Sequence, residues 1–375
     1  MNEDFLHTKL NERKKLNAFR QLQLPKDGMI DFCSNDYLGI VKNNRLNTCH
    51  DSKPWQASGA TGSRLLSGNY ELIEETENFI AGFHKAEAAL IFNSGYDANM
   101  GLLSSVPQRG DTILYDYLSH ASIRDGIRLS FATAFSFAHN DLHELEEKIK
   151  KGTGNIFVVT ESVFSMDGDL CPLKEIVSLC EKYNAHLVID EAHATGVIGE
   201  KGEGLVQMLG LQDKIFARVH TFGKACGSHG AVVLGSGSLR DYLVNFAKSF
   251  IYSTALPEQT VAHIKESYEL FPGMTEEREF LKKLVENFQQ STMLTSRQVF
   301  NDQLSGSGTH IQGIIIPGNE KVKQVAENLQ ALNLDVRPIL YPTVPKGKER
   351  LRIVLHAFNT FEELELLLNS LKNSL

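Results

Sequence analysis

His186-Leu187-Val188-Ile189-Asp190-Glu191-Ala192-His193 is an apolar strand pattern that runs straight into acidic residues. Arg218-Val219-His220-Thr221-Phe222-Gly223-Lys224 is a second strand pattern, broken by a glycine before its lysine. An acid on one strand end and a lysine on the next suit the two ends of a pyridoxal phosphate ring. The amine can form a Schiff base with the aldehyde, and the carboxylate can keep the pyridine nitrogen protonated.

The surrounding chain repeats the pattern. Ala88-Ala89-Leu90-Ile91-Phe92, Asp111-Thr112-Ile113-Leu114-Tyr115 and Asn155-Ile156-Phe157-Val158-Val159 are continuous apolar runs separated by helix-like stretches. Runs of this kind are expected of strands buried on both faces of a mostly parallel sheet, which makes the fold class α/β. Ala231-Val232-Val233-Leu234-Gly235 follows Lys224 too closely for a crossover helix, so one antiparallel strand is expected in that sheet. Three regions are predicted: an arm over 1–45, a large domain over 46–257 and a smaller C-terminal α+β domain over 258–375. In the arm, a polar helix from Leu6 to Leu22 precedes a Pro25-Lys26-Asp27-Gly28 turn and a short strand, Met29 to Phe32. In the small domain, strands are expected at Gln312–Ile316 and Leu351–Leu355, with helices at Glu320–Leu332 and Thr360–Leu371.

Composition excludes more than it suggests. The 375 residues carry a net charge of −8, which argues against nucleic acid as a main partner. No apolar run approaches the roughly 18 residues that a membrane span needs. The first residues, Met1 to Phe5, lack the basic region and apolar core of a signal peptide. The five cysteines, Cys33, Cys49, Cys171, Cys180 and Cys226, form no C-x-x-C pair. No metal site is expected, and reduced thiols in a cytoplasmic protein fit best.

Ligands of open α/β sheets bind outside the carboxyl ends of the strands, so the polar residues there carry the weight. After Phe92 comes Asn93-Ser94-Gly95-Tyr96, a turn opening a helix, which suits a phosphate and equally suits a plain strand-to-helix turn. Asp116-Tyr117-Leu118-Ser119-His120-Ala121-Ser122 and Thr160-Glu161-Ser162-Val163-Phe164-Ser165-Met166-Asp167-Gly168-Asp169 follow two further strands. Asp190-Glu191-Ala192-His193 also reads as D-E-A-H, the magnesium motif of nucleotide-dependent enzymes. That class needs G-x-x-x-x-G-K-[ST], whereas here Arg218 and Ala225 flank Gly223-Lys224 and the order is reversed.

With these segments in view, the sequence resembles the pyridoxal-phosphate-dependent α-oxoamine synthases of the aspartate-aminotransferase fold type over nearly its whole length. Ser34-Asn35-Asp36-Tyr37-Leu38-Gly39, Leu118 to Ser122, Thr160 to Asp169, Asp190 to Gly196, Thr221 to Lys224, Tyr252-Ser253-Thr254, Pro342 to Gly347 and Arg350-Leu351-Arg352 match in family order. The resemblance implies a three-layer fold type I enzyme, a pyridoxal-phosphate-dependent acyltransferase working as a homodimer with shared active sites. It makes Lys224 the Schiff-base lysine and later the general base, with Asp190 the partner of the pyridinium nitrogen. Ser165 and His193 would meet the ring hydroxyl, and His120 the ring face. Gly95, Tyr96 and Thr221 would lie at the phosphate, with Ser253 and Thr254 reaching the phosphate of the neighbouring subunit. Arg352 would take the amino-acid carboxylate, a bidentate task suited to arginine, and Arg20, Asn35, His120 and Thr343 would contact substrate.

The Thr-Phe-Gly-Lys form and the Pro-Thr-Val-Pro segment favour the biotin-pathway branch, which joins L-alanine to a pimeloyl thioester of CoA or acyl-carrier protein. Relatives using glycine, or serine with palmitoyl-CoA, or succinyl-CoA in 5-aminolevulinate synthesis, share the same core. Two departures bear on that choice: Ser58-Gly59-Ala60-Thr61-Gly62-Ser63-Arg64 has Ala-Thr where glycines are usual, and Pro257-Glu258 replaces a double proline. Arg350 and Arg352 alternate along one strand, so one of them can be a plain surface charge. Arg20 can be a solvated helix residue, Glu161 a support or a loop cap, and His220 and His229 structural.

Overall fold

The computed structural model describes residues 1–46, 59–296, 304 and 307–375; Cys49 and Ser58 lie outside them. In chain order the strands are β1 (Ile30–Asp31), β2 (Ala88–Phe92), β3 (Thr112–Asp116), β4 (Thr133–Phe137), β5 (Ile156–Glu161) and β6 (His186–Asp190). They continue with β7 (Ala217–Thr221), β8 (Ala231–Gly235), β9 (Ile311–Ile315), β10 (Leu334–Asp335), β11 (Arg337–Ile339) and β12 (Arg350–Val354). The first four helices are α1 (Asp4–Lys15), α2 (Glu71–Phe83), α3 (Gly95–Ser105) and α4 (Ala121–Leu129).

The chain forms two compact units, one of residues 38–165 and 170–276, the other of 1–37, 166–169 and 277–375. This differs from the three consecutive regions expected at 1–45, 46–257 and 258–375. The arm clusters with the C-terminal residues because β1 pairs in parallel with β10, Ile30 opposite Leu334. The helix Glu258–Leu270 belongs instead to the larger unit, where Tyr268 meets Phe83 of α2 edge-on at 5.6 Å.

The larger unit is built on a seven-stranded sheet in the order β2-β8-β7-β6-β5-β3-β4. Strands β3 to β7 are parallel, and β8 runs antiparallel to both β7 and β2, as the short connection after Lys224 requires. Successive side chains of a strand point to opposite faces. Ile113, Val159 and Val188 therefore join one buried cluster with Ala98 and Leu102 of α3 and Ile123 of α4. Leu114, Val158 and Leu187 join the other, with Ile176 and Val177 of the helix Leu173–Tyr183. Helices cover both faces, so the unit has three layers, and the central strands β3, β5 and β6 read as continuous apolar runs. Arg64 and Glu77 form a buried ion pair at 2.8 Å, and the same carboxylate accepts from the N–H of Ile91 at 2.8 Å. Nearby, Thr61 holds a left-handed φ of 56°, a conformation that glycine adopts without cost.

In the smaller unit β11, β12 and β9 form an antiparallel sheet. The helix Phe361–Ser374 starts in a capping box, Glu363 N–H to Thr360 Oγ1 at 3.1 Å and Thr360 N–H to Glu363 Oε2 at 3.0 Å. The arm helix stops at Lys15, short of the expected Leu22. Asn17 turns left-handed (φ 50°), Ala18 N–H bonds to Arg13 O at 2.9 Å, and Asn17 N–H bonds to Lys14 O at 2.9 Å. This is a Schellman stop with asparagine in the role of glycine.

Candidate active site

The parallel strands β3 to β7 end on one edge of the large sheet. Because β8 is antiparallel to both of its neighbours, β2 ends on that edge too. Asp190 closes β6 and is 6% exposed. Its Oδ1 accepts from Ala192 N–H at 2.9 Å, and its Oδ2 accepts from Asn99 Nδ2 at 2.7 Å. Both oxygens of this buried carboxylate are thus supplied with donors, which fixes its orientation toward the site. Lys224 Nζ lies 3.0 Å from Nε2 of the buried His193.

Lys224 does not sit in a strand-to-helix loop. It lies in the turn joining β7 to β8, closed by Phe222 N–H to Gly230 O at 2.9 Å, Ser228 N–H to Phe222 O at 2.8 Å and Gly227 N–H to Lys224 O at 2.8 Å.

At the end of β2, Ser94 caps α3 by accepting from Asp97 N–H at 3.0 Å. The N–H groups of Gly95 and Tyr96 belong to the first helical turn, where backbone donors have no partner within the helix. A Cβ on Gly95 would stand 2.5 Å from Thr221 Cγ2, so the helix start rests directly on the end of β7. Thr221 Oγ1 is buried without a hydrogen-bond partner. The Tyr96 side chain is turned aside, bonded through its hydroxyl to Asp125.

His120 caps α4 and is exposed overall. Its main-chain N–H donates to Glu161 Oε1 at 2.6 Å, and its Nδ1 lies 2.8 Å from Ser122 Oγ. Desolvation of its inner side is the largest influence lowering its pKa; Asp190 opposes that shift and Lys224 adds to it. Glu161, buried beneath it, is raised to about 8, first by burial and then by the charge of Asp190, against the pull of the His120 N–H. Ser165 is half-buried beyond β5. Ser253 and Thr254 line a small cavity with Arg64 and Asn93, and Asn93 Nδ2 donates to Thr254 O at 2.8 Å. Cys226 is buried, its thiol pushed up to about 12, which fits packing. His220 is wholly buried, 2.9 Å from Thr195 Oγ1.

The smaller unit brings its own candidates together in pairs. Arg352 Nη2 donates to Asn35 Oδ1 at 3.0 Å, and the buried Tyr37 hydroxyl donates to the same oxygen at 3.0 Å. Arg20 is exposed, as a solvated helix residue would be, and its Nη2 donates to Thr343 Oγ1 at 2.9 Å. Arg350 is not a surface charge: it is 5% exposed and paired with Asp167. Sequence reasoning missed Asn99 and Ser122. The only available signals were that Asn99 lies one helical turn beyond Gly95 and that Ser122 stands two residues past His120.

The orphaned Thr221 hydroxyl, the cradle a Cβ at Gly95 would fill, the donor-rich Asp190 and the lysine beside His193 all fit pyridoxal phosphate. Fold and site define a pyridoxal-phosphate-dependent transferase of fold type I. The chain belongs to the aminotransferase class I and II family, which it matches over residues 27–371, and within it to the α-oxoamine synthases, acyltransferases that use this cofactor.

It is 40% identical to 8-amino-7-oxononanoate synthase of Emericella nidulans, over 98% of this chain and 94% of that protein. Among solved structures it is similar to 8-amino-7-oxononanoate synthase of Francisella tularensis, with 26% identity and a TM-score of 0.77 over 93% of this chain and 98% of the other. It is also similar to serine palmitoyltransferase of Sphingomonas wittichii, with 25% identity and a TM-score of 0.85 over 99% of this chain and 96% of the other. Among the described residues no helix is long and apolar enough to cross a membrane.

Proposed function

We propose that this α-oxoamine synthase condenses L-alanine with a pimeloyl thioester, of CoA or acyl-carrier protein, releasing carbon dioxide and the thiol to give 8-amino-7-oxononanoate for biotin. The observation that carries the chemistry is the placement of the buried Asp190 at the end of β6 and of Lys224 in the turn that follows the neighbouring parallel strand β7. The substrate choice is supported by the 40% identity to the Emericella nidulans synthase.

When bound, pyridoxal phosphate supplies a sink for the electron pair released at the amino acid's Cα. Asp190 holds the proton on the ring nitrogen, without which the sink is weak. Thr221 and the N–H groups of Gly95 and Tyr96 hold the phosphate, with Ser253 and Thr254 serving the neighbouring subunit of a cytoplasmic homodimer. Ser165 and His193 hold the ring hydroxyl. The free amine of Lys224 takes the Cα proton of alanine and later returns one to the product. Its hydrogen bond to His193 orients it for that transfer. Arg352, steadied by Asn35, receives the alanine carboxylate as a bidentate guest, and Arg20 with Thr343 contacts the acyl substrate. His120 covers the ring face and donates to the thioester oxygen as it becomes an oxyanion.

A second reading, condensation of serine with a long acyl thioester, is favoured by the higher TM-score to the serine palmitoyltransferase, 0.85 against 0.77. Titrating the purified holoenzyme with alanine, glycine and serine separates the two. Alanine should perturb the cofactor's absorption most strongly, and only alanine should give product with a pimeloyl thioester. Tight glycine or serine binding with acetyl or palmitoyl turnover would overturn the assignment.

A further inference from the structure

Behind His120 runs a buried polar relay that assigns the position of the imidazole proton. Ser122 N–H points at His120 Nδ1 at 3.2 Å, and a backbone N–H can only donate, so Nδ1 must offer a lone pair. Ser122 Oγ stands 2.8 Å from the same nitrogen and accepts from Asn99 Nδ2 at 3.1 Å. That incoming bond turns the hydroxyl proton away from Asn99 and onto Nδ1. The orientation of the Asn99 amide follows from its other contact, because the Asp190 carboxylate at 2.7 Å needs a donor. Asn99 is 2% exposed and Ser122 1%, so water does not compete for these bonds. With Nδ1 committed as an acceptor, the single proton of the neutral ring must reside on Nε2.

We infer that Asn99 and Ser122 are positioning residues that lock His120 in the Nε2–H tautomer and tie it to the carboxylate of Asp190. His120 then works as a hydrogen-bond donor through Nε2 and cannot take a proton there. This deepens the proposed role of His120 at the thioester oxygen and rests on it for its catalytic meaning. The tautomer itself is independent of which amino acid or thioester is used.

The test is nitrogen NMR of the holoenzyme labelled with ¹⁵N-histidine, the His120 signals being assigned by their loss in His120→Asn. The wild-type enzyme should show a pyridine-type Nδ1 and a pyrrole-type Nε2. Ser122→Ala and Asn99→Leu should each lower the ratio of Nε2–H to Nδ1–H about fivefold, the effect expected of one neutral hydrogen bond. Ser122→Thr, which keeps the hydroxyl, should restore the wild-type spectrum. A pyrrole-type Nδ1 in the wild-type enzyme would overturn the inference without recourse to any variant. An unchanged ratio in both Ser122→Ala and Asn99→Leu would overturn it as well. Failure of alanine to act as substrate would instead count against the proposed reaction and leave the tautomer assignment standing.

Discussion

Glu161 and Asp190 are register partners on the neighbouring parallel strands β5 and β6, so two buried carboxyl groups share one face of the sheet a single strand apart. Burial and the Asp190 charge hold Glu161 at about 8, against an ordinary 4.5. The folded protein thus binds this proton more tightly than the unfolded chain does. The stabilisation is fully present below pH 4.5 and is lost as the pH rises through about 8. Glu161→Gln keeps an oxygen for the His120 N–H but has no proton to lose. In the cofactor-free protein, its melting temperature should gain on wild type as the pH is raised from 5 to 9. Parallel melting curves across that range would contradict the assignment.

Gly95 is required by its distance from Thr221. Gly95→Ala places a methyl where only 2.5 Å separates it from Thr221 Cγ2, an overpacking that costs about 1–3 kcal/mol. Pyridoxal phosphate should bind roughly tenfold more weakly, as measured by dialysis and absorbance. Adding Thr221→Ser removes the opposing methyl but keeps the hydroxyl, and should recover most of the loss. If the double variant binds no better than Gly95→Ala, the steric account fails.

The two arginines of β12 should fail differently. Arg352→Lys keeps the charge but loses the fork, so the KM for alanine should rise with little change in melting temperature. Arg350→Ala removes the buried arginine that pairs with the half-buried Asp167 and should lower the denaturation midpoint. The reverse pattern would exchange the roles given to Arg350 and Arg352.

Lys224→Ala should bind pyridoxal phosphate without covalent attachment, so borohydride no longer fixes the cofactor to the protein. Turnover should fall by about 10²–10⁴-fold or more, the usual effect of losing a general base. Exogenous small amines should restore part of the activity if the amine acts as that base.

Thr61, at a position where the family resemblance leads one to expect glycine, holds a left-handed φ of 56°. Thr61→Gly should raise the denaturation midpoint, because a β-branched residue in that conformation is strained by about 1–2 kcal/mol. A lower midpoint would mean that the Thr61 side chain contributes more than its backbone costs.

The large sheet was readable from β3, β5 and β6 because both of their faces are buried, which leaves continuous apolar runs with polar residues only at the ends. Lys224, Asp190, His193 and His120 stood out because each follows such a run. Asn99 and Ser122 did not. Their meaning depends on meeting Asp190 and His120 across 91 and 2 residues, and inside a helix each reads as an ordinary polar residue. Period alone could not say that Arg350 faces Asp167, or that the arm helix stops at Asn17, where asparagine takes the conformation usually left to glycine.

The turn between β7 and β8 gives the lysine a fixed base. Three main-chain hydrogen bonds, at 2.8, 2.8 and 2.9 Å, hold the backbone around Lys224. Once an incoming amine has displaced it from the cofactor, the lysine would therefore need only rotation about its own side-chain bonds to act as the free base. The amine would then work like a pendulum on a fixed pivot, swinging from a turn that its own main-chain bonds hold in place.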